Sequence, residues 1–456
     1  MSKPVSKSVS KQASAVPHPL HVGQLRRRAR RRSEYLFRAV GVAAIVLALL
    51  ILANLIWAIV KFATPGFFRY EVQLPVTFHA ELILDSDGSL PTNASGEPDV
   101  SETAMKRVLR AAYAELLAMP VALRSEADIA TREIHSGKVP RQLQALVNAN
   151  PELIGTRQDL WFYVDSYTQV YLLGRAGTIS ESSQVTLEEA AMIDRLQETG
   201  QFRRLFDWGL ITRPDSRSDV EFAGLRDAII GSLLMVLVVA VVAISLGVLT
   251  AVFLEEFAPK NRLTDLIEIN INNLAAVPSI VFGILGLAIF VPMTQLLGGR
   301  SAPLVGGLVL SLMTLPTVII ATRAALLAVP PSFKQAAIGM GASKMQAVFQ
   351  FVLPRALPGI VTGSTIGLAQ AIGETAPLLM IGMNNFVIKN EIPLGLGLFK
   401  EPFPALPTTI FLWASYADPL LSRYKANAAI VILLLLVFTF LAIATYIRRR
   451  ANSANS

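Results

Sequence analysis

Residues 335–354 read QAAIGMGASKMQAVFQFVLP, and this stretch lies between two long apolar segments of the chain. Small residues surround Gly341, and the pair Leu353 and Pro354 enters the second apolar segment. Glycine accepts a left-handed backbone without strain, whereas proline is tolerated at the start of a helix. The spacing therefore predicts a short helix outside the membrane, a tight turn at Gly341 and a second helix that leads back into the membrane.

The composition of the chain is that of a protein surrounded by lipid. Of its 456 residues, 53% are hydrophobic and only 16% are charged, and the mean hydropathy is +0.50. Charge this scarce does not cover the surface of a soluble protein of that length. The sequence predicts a polytopic α-helical membrane protein of about six transmembrane helices, since a span needs about 20 apolar residues. The predicted spans are 39–60, 228–254, 269–297, 302–322, 356–381 and 427–447.

Basic residues near the span ends predict the orientation of the chain. Six arginines lie between Arg26 and Arg32, before the first span, and residues 448–450 are three arginines after the last span. An even number of spans places both termini on one side, so we expect both termini and the 335–354 loop to be cytoplasmic. The arginine run is also compatible with binding to anionic lipid. The net charge of +8 therefore says little about a substrate.

The predicted spans divide the chain into parts with distinct roles. The first apolar run is longer than that of a signal peptide and no convincing cleavage site follows it, so we expect it to remain as an anchor. The region between the first two spans has the size of an ordinary soluble domain. The predicted parts are a basic cytoplasmic tail (1–38), a membrane anchor helix (39–63), an extracytoplasmic domain (64–222), a membrane core (223–450) with a cytoplasmic loop at 323–355, and a short cytoplasmic tail (451–456).

The external region mixes strand and helix patterns. Apolar residues alternate from Val72 to Leu82, which predicts a half-buried strand, and Pro75 places that strand near a sheet edge. Trp161–Leu173 is rich in aromatic and β-branched residues and is predicted as another strand. Ser101 is the predicted N-cap of a stretch with helical spacing. The pattern favours an α+β domain, with helices predicted over 101–119, 125–135, 140–148 and 187–206.

No constellation in the chain points to catalysis. His79 and His135 lack the spacing of metal ligands, and no nucleophile elbow is present. The absence of cysteine excludes thiol chemistry and disulfides. The chain also lacks Gly-x-x-x-x-Gly-Lys-Ser/Thr, so a process driven by ATP would need its ATPase on another polypeptide. The sequence predicts a chain that is not an enzyme and binds neither a metal nor a cofactor.

One predicted span contains a break. Pro278 removes a helix hydrogen bond beside Asn273 and Ser279, which concentrates polar groups within the membrane. Such a break is tolerated where it lines a cavity or where neighbouring helices cover it. Both interpretations stay open, because Gly283 permits close helix packing as readily as a cavity wall.

A second predicted span contains an isolated acid. Glu374 lies in an apolar run without other charges, with Gln370 one turn earlier and Thr375 next to it. An ionisable group at that depth is functional by default, so these residues are candidates for a solute pathway. The alternative is an ion pair that holds the core together, with Arg323 or with an arginine of a partner subunit. Arg323 could instead contact a passing anion or extend to lipid headgroups.

The stretch 335–354 resembles the EAA loop of ATP-binding-cassette importer permeases. Gln335 replaces the usual acid of that motif, and Phe351 replaces an aliphatic residue. The resemblance implies that the loop docks on a separate ATPase. The residues at the motif positions are Gln335, Ala336, Ala337, Gly341, Leu353 and Pro354.

Two further stretches resemble the permease subunits of phosphate-specific ABC importers, of the PstA type. They are AAVPSIVFG at 275–283 and AIGETAPLL at 371–379, and with the loop they extend the resemblance over about 223–450. The resemblance implies an ABC importer type I permease core and a transport subunit for inorganic phosphate. In that setting Glu374 could accept a hydrogen bond from HPO₄²⁻, which carries a proton that sulfate lacks.

The resemblance also implies which molecules the chain assembles with and where it is located. The expected partners are a homologous second permease subunit, two cytosolic ATPase subunits that bind ATP, an extracytoplasmic phosphate-binding protein and membrane lipid, with no role for nucleic acid. The expected location is a bacterial inner membrane. Two alternatives remain, namely a permease for another oxyanion such as molybdate, sulfate or phosphonate, and a membrane-anchored sensor.

Overall fold

The computed structural model describes most of the chain in two units. The described residues are 19–85, 87–93, 95–116, 134–173, 185–216, 219–290, 292–293, 299, 301–384 and 395–455, with the main chain alone over 19–33, 187–188 and 451–455. The first unit ends at Ala58 and the second begins at Ile59. Helix α1 (Pro19–Ala63) supplies the described part of the first unit. Its large apolar side chains from Tyr35 to Trp57 are exposed, as expected of a helix that contacts lipid.

Residues 64–222, which the sequence predicts to be extracytoplasmic and which we call the external domain, contain a three-stranded antiparallel sheet in the order β2-β1-β3. Its strands are β1 (Phe68–Thr77), β2 (Arg157–Tyr163) and β3 (Phe202–Phe206). The helices of this domain are α2 (Ala80–Ile83), α3 (Glu102–Leu116), α4 (Val139–Ala149), α5 (Ser166–Leu172), α6 (Leu187–Glu198) and α7 (Gly209–Thr212). Val72, Leu74 and Val76 alternate along β1 and are buried in one apolar core with residues of α3 and α4. The α+β expectation for this region is confirmed.

Strand β1 is central in the sheet, so its predicted edge position is wrong. β3 pairs only with Phe68–Val72, whereas β2 pairs with β1 as far as Thr77. Gln73 donates its backbone N–H to Gln201 on the β3 side. The nitrogen of Pro75 faces the same side, two residues further on and past the end of β3. Proline is tolerated there because the missing N–H has no strand to pair with.

Two segments of the external domain that were each predicted as one element contain both a strand and a helix. The strand predicted from Trp161 ends at Tyr163, and α5 follows because Asp165 caps it by accepting a hydrogen bond from the N–H of Tyr167. The helix predicted over 187–206 ends at Glu198, after which β3 begins. The helices predicted over 101–119 and 140–148 correspond to α3 and α4 within the described range. Most of the helix predicted over 125–135 lies outside the described residues.

The membrane core follows the external domain. Its helices are α8 (Arg226–Val239), α9 (Ser245–Val252), α10 (Arg262–Ala275), α11 (Ser279–Ile289), α12 (Pro303–Leu327), α13 (Pro331–Gly339), α14 (Lys344–Ala347), α15 (Leu353–Gly373), α16 (Ala376–Met380), α17 (Leu406–Ala414) and α18 (Ala426–Asn455). Wider π-helical turns join several of them, at Ala240–Ile244, Phe253–Phe257, Val348–Val352 and Leu420–Lys425.

The length and apolarity of the helices agree with the predicted spans. In the described ranges, five continuous helical segments can cross a membrane, namely Glu34–Phe67, Arg226–Phe257, Pro303–Leu327, Lys344–Gly373 and Leu420–Arg450. The remaining predicted span corresponds to α10 and α11, which meet at a bend of 105°. This pair is either a sixth, broken span or a re-entrant segment. The expected fold class of a polytopic helical membrane protein with an α+β domain is confirmed.

Glycines bring α12 and α15 into close antiparallel contact. A side chain at Gly359 would meet Ala325, and one at Gly363 would meet Ala321 one turn further along α12. A Cβ added to Gly367 would likewise lie 3.0 Å from the methyl carbon of Thr314. Small residues at this spacing let two helix backbones approach within a membrane.

The external domain is joined to the membrane core by buried polar contacts. Ser166 donates a hydrogen bond to Asp418 Oδ2 at 2.6 Å, and both residues are buried. Trp413 Nε1 donates to both carboxylate oxygens of Asp215 at 3.1 Å. The ammonium of Lys425 is buried at this interface and donates to the carbonyls of Val220 (2.9 Å), Glu221 (2.8 Å) and Ala223 (3.1 Å). These hydrogen bonds therefore hold the external domain against the membrane core.

Candidate functional site

Two of the core helices break where the sequence predicted polar positions. Pro278 is the N-cap residue of α11 and lies at the 105° bend after α10. Helix α15 ends at Gly373, and Glu374 is its extended C-cap residue. Pro377 then lies in the first turn of α16, where a missing N–H costs no helical hydrogen bond. Each break exposes helix-end backbone groups that need polar partners.

The two breaks belong to helices that pack on each other. A Cβ added to Gly283 of α11 would lie 2.6 Å from Pro377 Cα and 3.0 Å from its carbonyl oxygen. Only glycine permits this approach, because a side chain at that distance would overlap the backbone of α16. The stretches 275–283 and 371–379 are thus brought into direct contact. We refer to this contact of Gly283 with Pro377 as the α11–α16 junction.

Most of the predicted pathway residues lie around this junction. Ser279 is one turn before Gly283 on α11, and Glu374 and Thr375 immediately precede α16; all three are half-buried. Gln370 is exposed one turn earlier on α15. Among the residues that the structure describes, none donates a hydrogen bond to the Glu374 carboxylate or pairs with it. Asn273 is exposed on α10, on the other side of the bend.

Arg323 does not pair with Glu374, so the choice of Arg323 as its partner within this chain is wrong. Its Nη2 lies 2.9 Å from Glu268 Oε1 and 3.2 Å from Glu255 Oε2. The distance along the helices explains why. Ala321 faces Gly363 across the antiparallel α12–α15 contact, and Arg323 lies two residues beyond Ala321. Glu374 is therefore roughly 20 Å from the level of Arg323 along α15, at 1.5 Å per residue. Arg323 instead ties α12 to α10 and to the end of the second span.

The predicted turn at Gly341 ends α13 in a Schellman motif. Gly341 has a φ of +92°, its N–H donates to Ile338 O at 2.9 Å, and the N–H of Ala342 donates to Ala337 O at 3.0 Å. These bonds satisfy the carbonyls that a helix end leaves open. Ser343 then starts α14 with a capping box that includes Gln346. Two consecutive caps give the loop one defined conformation.

The inner face of this loop is packed against the core. Ala337 is buried, and Leu353 contacts an apolar cluster that includes Val252 and Val352. Lys334 forms an ion pair with Glu256, at the end of the second span. The adjacent acids Glu255 and Glu256 thus hold α12 and α13 through separate cations. Sequence reasoning did not assign a role to this acidic pair, although two acids directly after an apolar segment were a visible signal.

The outer face of the loop is exposed and apolar. Met340 is 78% exposed and Met345 59%, and Ile338 and Phe349 are also exposed. Gln335 and Ala336 lie exposed on the same short helix α13. Methionine side chains adapt to irregular partner surfaces. An apolar face on a rigid loop that joins two span candidates is the kind of surface that another protein covers.

The C-terminal arginines lie at the same end of the core as this loop. Arg448 Nη1 lies 3.4 Å from Thr362 Oγ1, nine residues into the helix that begins at Leu353. The basic end of α18 is therefore directed toward the end of α15 at which the loop lies. Within the described ranges no group of three or more His, Asp or Glu side chains is arranged to hold a metal ion.

Comparisons with known proteins assign the chain to a family. Residues 24–181 match a domain of unknown function (DUF3333), and residues 243–453 match the binding-protein-dependent transport system inner membrane component. The chain is 31% identical over 231 residues to the probable ABC transporter permease protein YqgI of Bacillus subtilis, covering 48% of this chain and 76% of that protein. It is 36% identical over 251 residues to the phosphate transport system permease protein PstA 2 of Mycobacterium tuberculosis, covering 54% of this chain and 79% of that protein.

A search of solved structures gives a match to the inward-facing MetNI methionine ABC transporter, with 22% identity, a TM-score of 0.40, and coverage of 50% of this chain and 95% of that chain. The assignment rests on the family match and on the two relatives. The chain belongs to the binding-protein-dependent transport system inner membrane components, which are multi-pass permease subunits of ABC importers and leave ATP hydrolysis to a separate subunit.

Proposed function

We propose that this chain is the permease subunit of an importer for inorganic phosphate. The observation that carries the proposal is the α11–α16 junction, at which the two stretches that resemble phosphate permeases meet through Gly283 and Pro377. A relative named as a phosphate transport permease is 36% identical over 251 residues. Both observations favour phosphate over molybdate, sulfate or phosphonate.

Glu374 is the proposed selectivity residue. It lies at a helix break beside this junction, and no described residue pairs with its carboxylate. An ionised carboxylate only accepts hydrogen bonds. Singly protonated phosphate can donate one, whereas fully ionised sulfate cannot and would meet an unscreened like charge. Ser279, Thr375 and Gln370 supply neutral polar groups that can donate to the remaining phosphate oxygens.

The 335–354 loop is the proposed docking site for the ATPase. Its exposed face, which includes Met340 and Met345, would contact the motor, while its inner face is held by Lys334 and Glu256. Motion of the loop would pass through α15 and through the ion pairs of Arg323 to α10 and α12. Rigid helices would then open the pathway on one side at a time. A second permease subunit, two ATPase subunits and a phosphate-binding protein would complete the importer.

The loop and both termini are proposed to be cytoplasmic. The direction of the basic end of α18 toward the loop end of α15 supports this for the C-terminus, and the arginines before the first span support it for the N-terminus. The bent pair α10 and α11 would then cross the membrane once.

Reporter fusions after residue 150 should behave as extracytoplasmic, and fusions after residues 260, 340 and 450 as cytoplasmic. A cytoplasmic reporter at residue 150 contradicts this topology.

Replacement of Glu374 by glutamine tests the role in selectivity. Glutamine preserves the volume but is neutral, so phosphate uptake should fall on the order of tenfold, as expected for the loss of one charge-assisted hydrogen bond. The measurement is uptake of labelled phosphate and of arsenate, which also carries a proton, divided by the amount of assembled complex. Asp265→Asn, an exposed acid near the start of α10, is the matched control and should transport normally.

Two results would contradict the proposal. Unchanged uptake per assembled Glu374→Gln complex for both anions would leave Glu374 with a structural role only. Equal uptake of sulfate and phosphate by the unaltered importer would remove the proposed selectivity for phosphate. Cells with and without the gene distinguish a transporter from a membrane-anchored sensor, because only a transporter changes the accumulated label.

A further inference from the structure

A groove of about 150 Å³ lies between α15 and α18 on the surface of the membrane core. It lies on a different side of α15 from the α12 contact, since its walls do not include Gly359, Gly363 or Gly367. Nothing in the transport mechanism above uses it. The groove is lined by Val361, Thr362, Thr365 and Ile366 of α15 and by Leu441, Ala444, Thr445 and Arg448 of α18.

One end of the groove is polar and positively charged. Arg448 is half-buried and turns back over the groove toward the hydroxyl of Thr362, whereas Arg449 and Arg450 are exposed. The hydroxyl of Thr445 forms no hydrogen bond with any described residue. A cation and an unpaired donor thus lie side by side at the end of α18 that carries the arginines. This arrangement suits an anionic group with several acceptor oxygens.

The other end of the groove is apolar and extends into the membrane. Leu441 lies seven residues before Arg448, so the groove is roughly 10 Å long at 1.5 Å per residue. Ile366 is 60% exposed at its rim, in the part of the core that contacts lipid. Arg448 is the only charged residue among those that line the groove. A free anion would therefore find a single cation, whereas an amphiphile would fill both ends.

We propose that this groove binds an anionic phospholipid of the cytoplasmic leaflet. The phosphate contacts Arg448 and the Thr445 hydroxyl, and one acyl chain lies along Ile366, Leu441 and Ala444. Basic pockets between transmembrane helices on the cytoplasmic side have the charge that attracts such headgroups. The bound lipid packs against α18 and against α15, which follows the 335–354 loop. The proposal is independent of which anion the importer carries.

The test measures bound lipid on the purified, assembled importer. Complexes in nanodiscs of phosphatidylcholine with phosphatidylglycerol are transferred to detergent, and native mass spectrometry counts the phosphatidylglycerol that stays bound. Arg448→Gln should lower that amount about fivefold, the effect expected of one arginine near a membrane surface. Ala444→Phe should lower it as well, because the ring fills the groove while the charge is kept. Arg449→Gln removes the same charge from an exposed position and should retain the lipid.

Several results would overturn the proposal. Equal losses for Arg448→Gln and Arg449→Gln would mean that lipid is held by general surface charge. Displacement of phosphatidylglycerol by millimolar inorganic phosphate would mean that the site takes a free anion. Loss of the second permease subunit from Ala444→Phe, with lipid retained, would mean that a protein helix occupies the groove.

Discussion

Replacement of Gly341 by valine is expected to lower uptake by the importer severely while the chain remains in the membrane. Gly341 has a φ of +92°, a conformation that a β-branched residue does not adopt without strain. The strain is about 1–2 kcal/mol for an ordinary side chain in the left-handed region. The Schellman bonds of Gly341 and Ala342 would break, and the exposed apolar face around Met340 would change shape. The ATPase should then fail to co-purify, and uptake should fall at least about tenfold, which corresponds to 1.4 kcal/mol of lost contact.

Two matched variants separate backbone strain from steric interference at this loop. Gly339→Val adds the same side chain two residues earlier, where φ is not positive and nothing lies within 4 Å, and should keep most of the uptake. Gly341→Asn should retain more ATPase than Gly341→Val, because asparagine tolerates the left-handed region. A Gly341→Val complex with a normal amount of ATPase and normal uptake would show that the loop is not the docking site.

Replacement of Lys425 by methionine should destabilise the contact between the external domain and the membrane core on the order of 3 kcal/mol, since buried carbonyls lose their donor. Lys425 is 2% exposed, and its ammonium donates to the carbonyls of Val220, Glu221 and Ala223. Burial raises the pKa of the Glu221 carboxyl, and the nearby charge of Lys425 lowers it. The change to methionine also removes the positive charge that partly offsets the effect of burial on Glu221. The expected result is a lower midpoint of thermal unfolding and faster proteolysis between the two parts.

Arg423→Met is the matched control for Lys425. It removes the same charge two residues earlier, where the side chain is exposed, and should leave the unfolding midpoint within the range of ordinary surface substitutions, about 0.5 kcal/mol. If Lys425→Met and Arg423→Met unfold at the same temperature, the three carbonyl contacts contribute nothing to stability. Amide hydrogen exchange at residues 219–225 locates the effect, because opening of this segment is what the loss of Lys425 should accelerate.

Local patterns in the sequence predict the membrane-facing parts of this protein well. A span is recognised from a run of about 20 apolar residues, because every helix that crosses the bilayer must span the same hydrocarbon thickness. The turn at Gly341 is predicted from a few neighbouring residues, since a left-handed backbone at a helix end is a local feature. The acid Glu374 was visible for the same reason, as a single charge in an apolar run.

Polar residues whose partners are distant were predicted poorly. Arg323 was a candidate partner of Glu374, but its carboxylates are Glu255, 68 residues away, and Glu268, 55 residues away. Pro75 indicated an edge strand, yet the length of β3 decided that a central strand could hold it. Lys425 was not singled out, although it holds carbonyls more than 200 residues away in the chain.

The sequence by itself determined the number and placement of the apolar segments, the capped loop at 335–354 and the stretches that resemble phosphate permeases. Each of these depends on interactions within about 20 residues or on the common demand of the bilayer. Tertiary structure alone decided that Gly283 meets Pro377, that Arg323 joins Glu255 and Glu268, and that Lys425 fastens the external domain to the core. The physical reason is that a buried polar group is satisfied by whatever helix packing places beside it, and packing is a property of the whole fold.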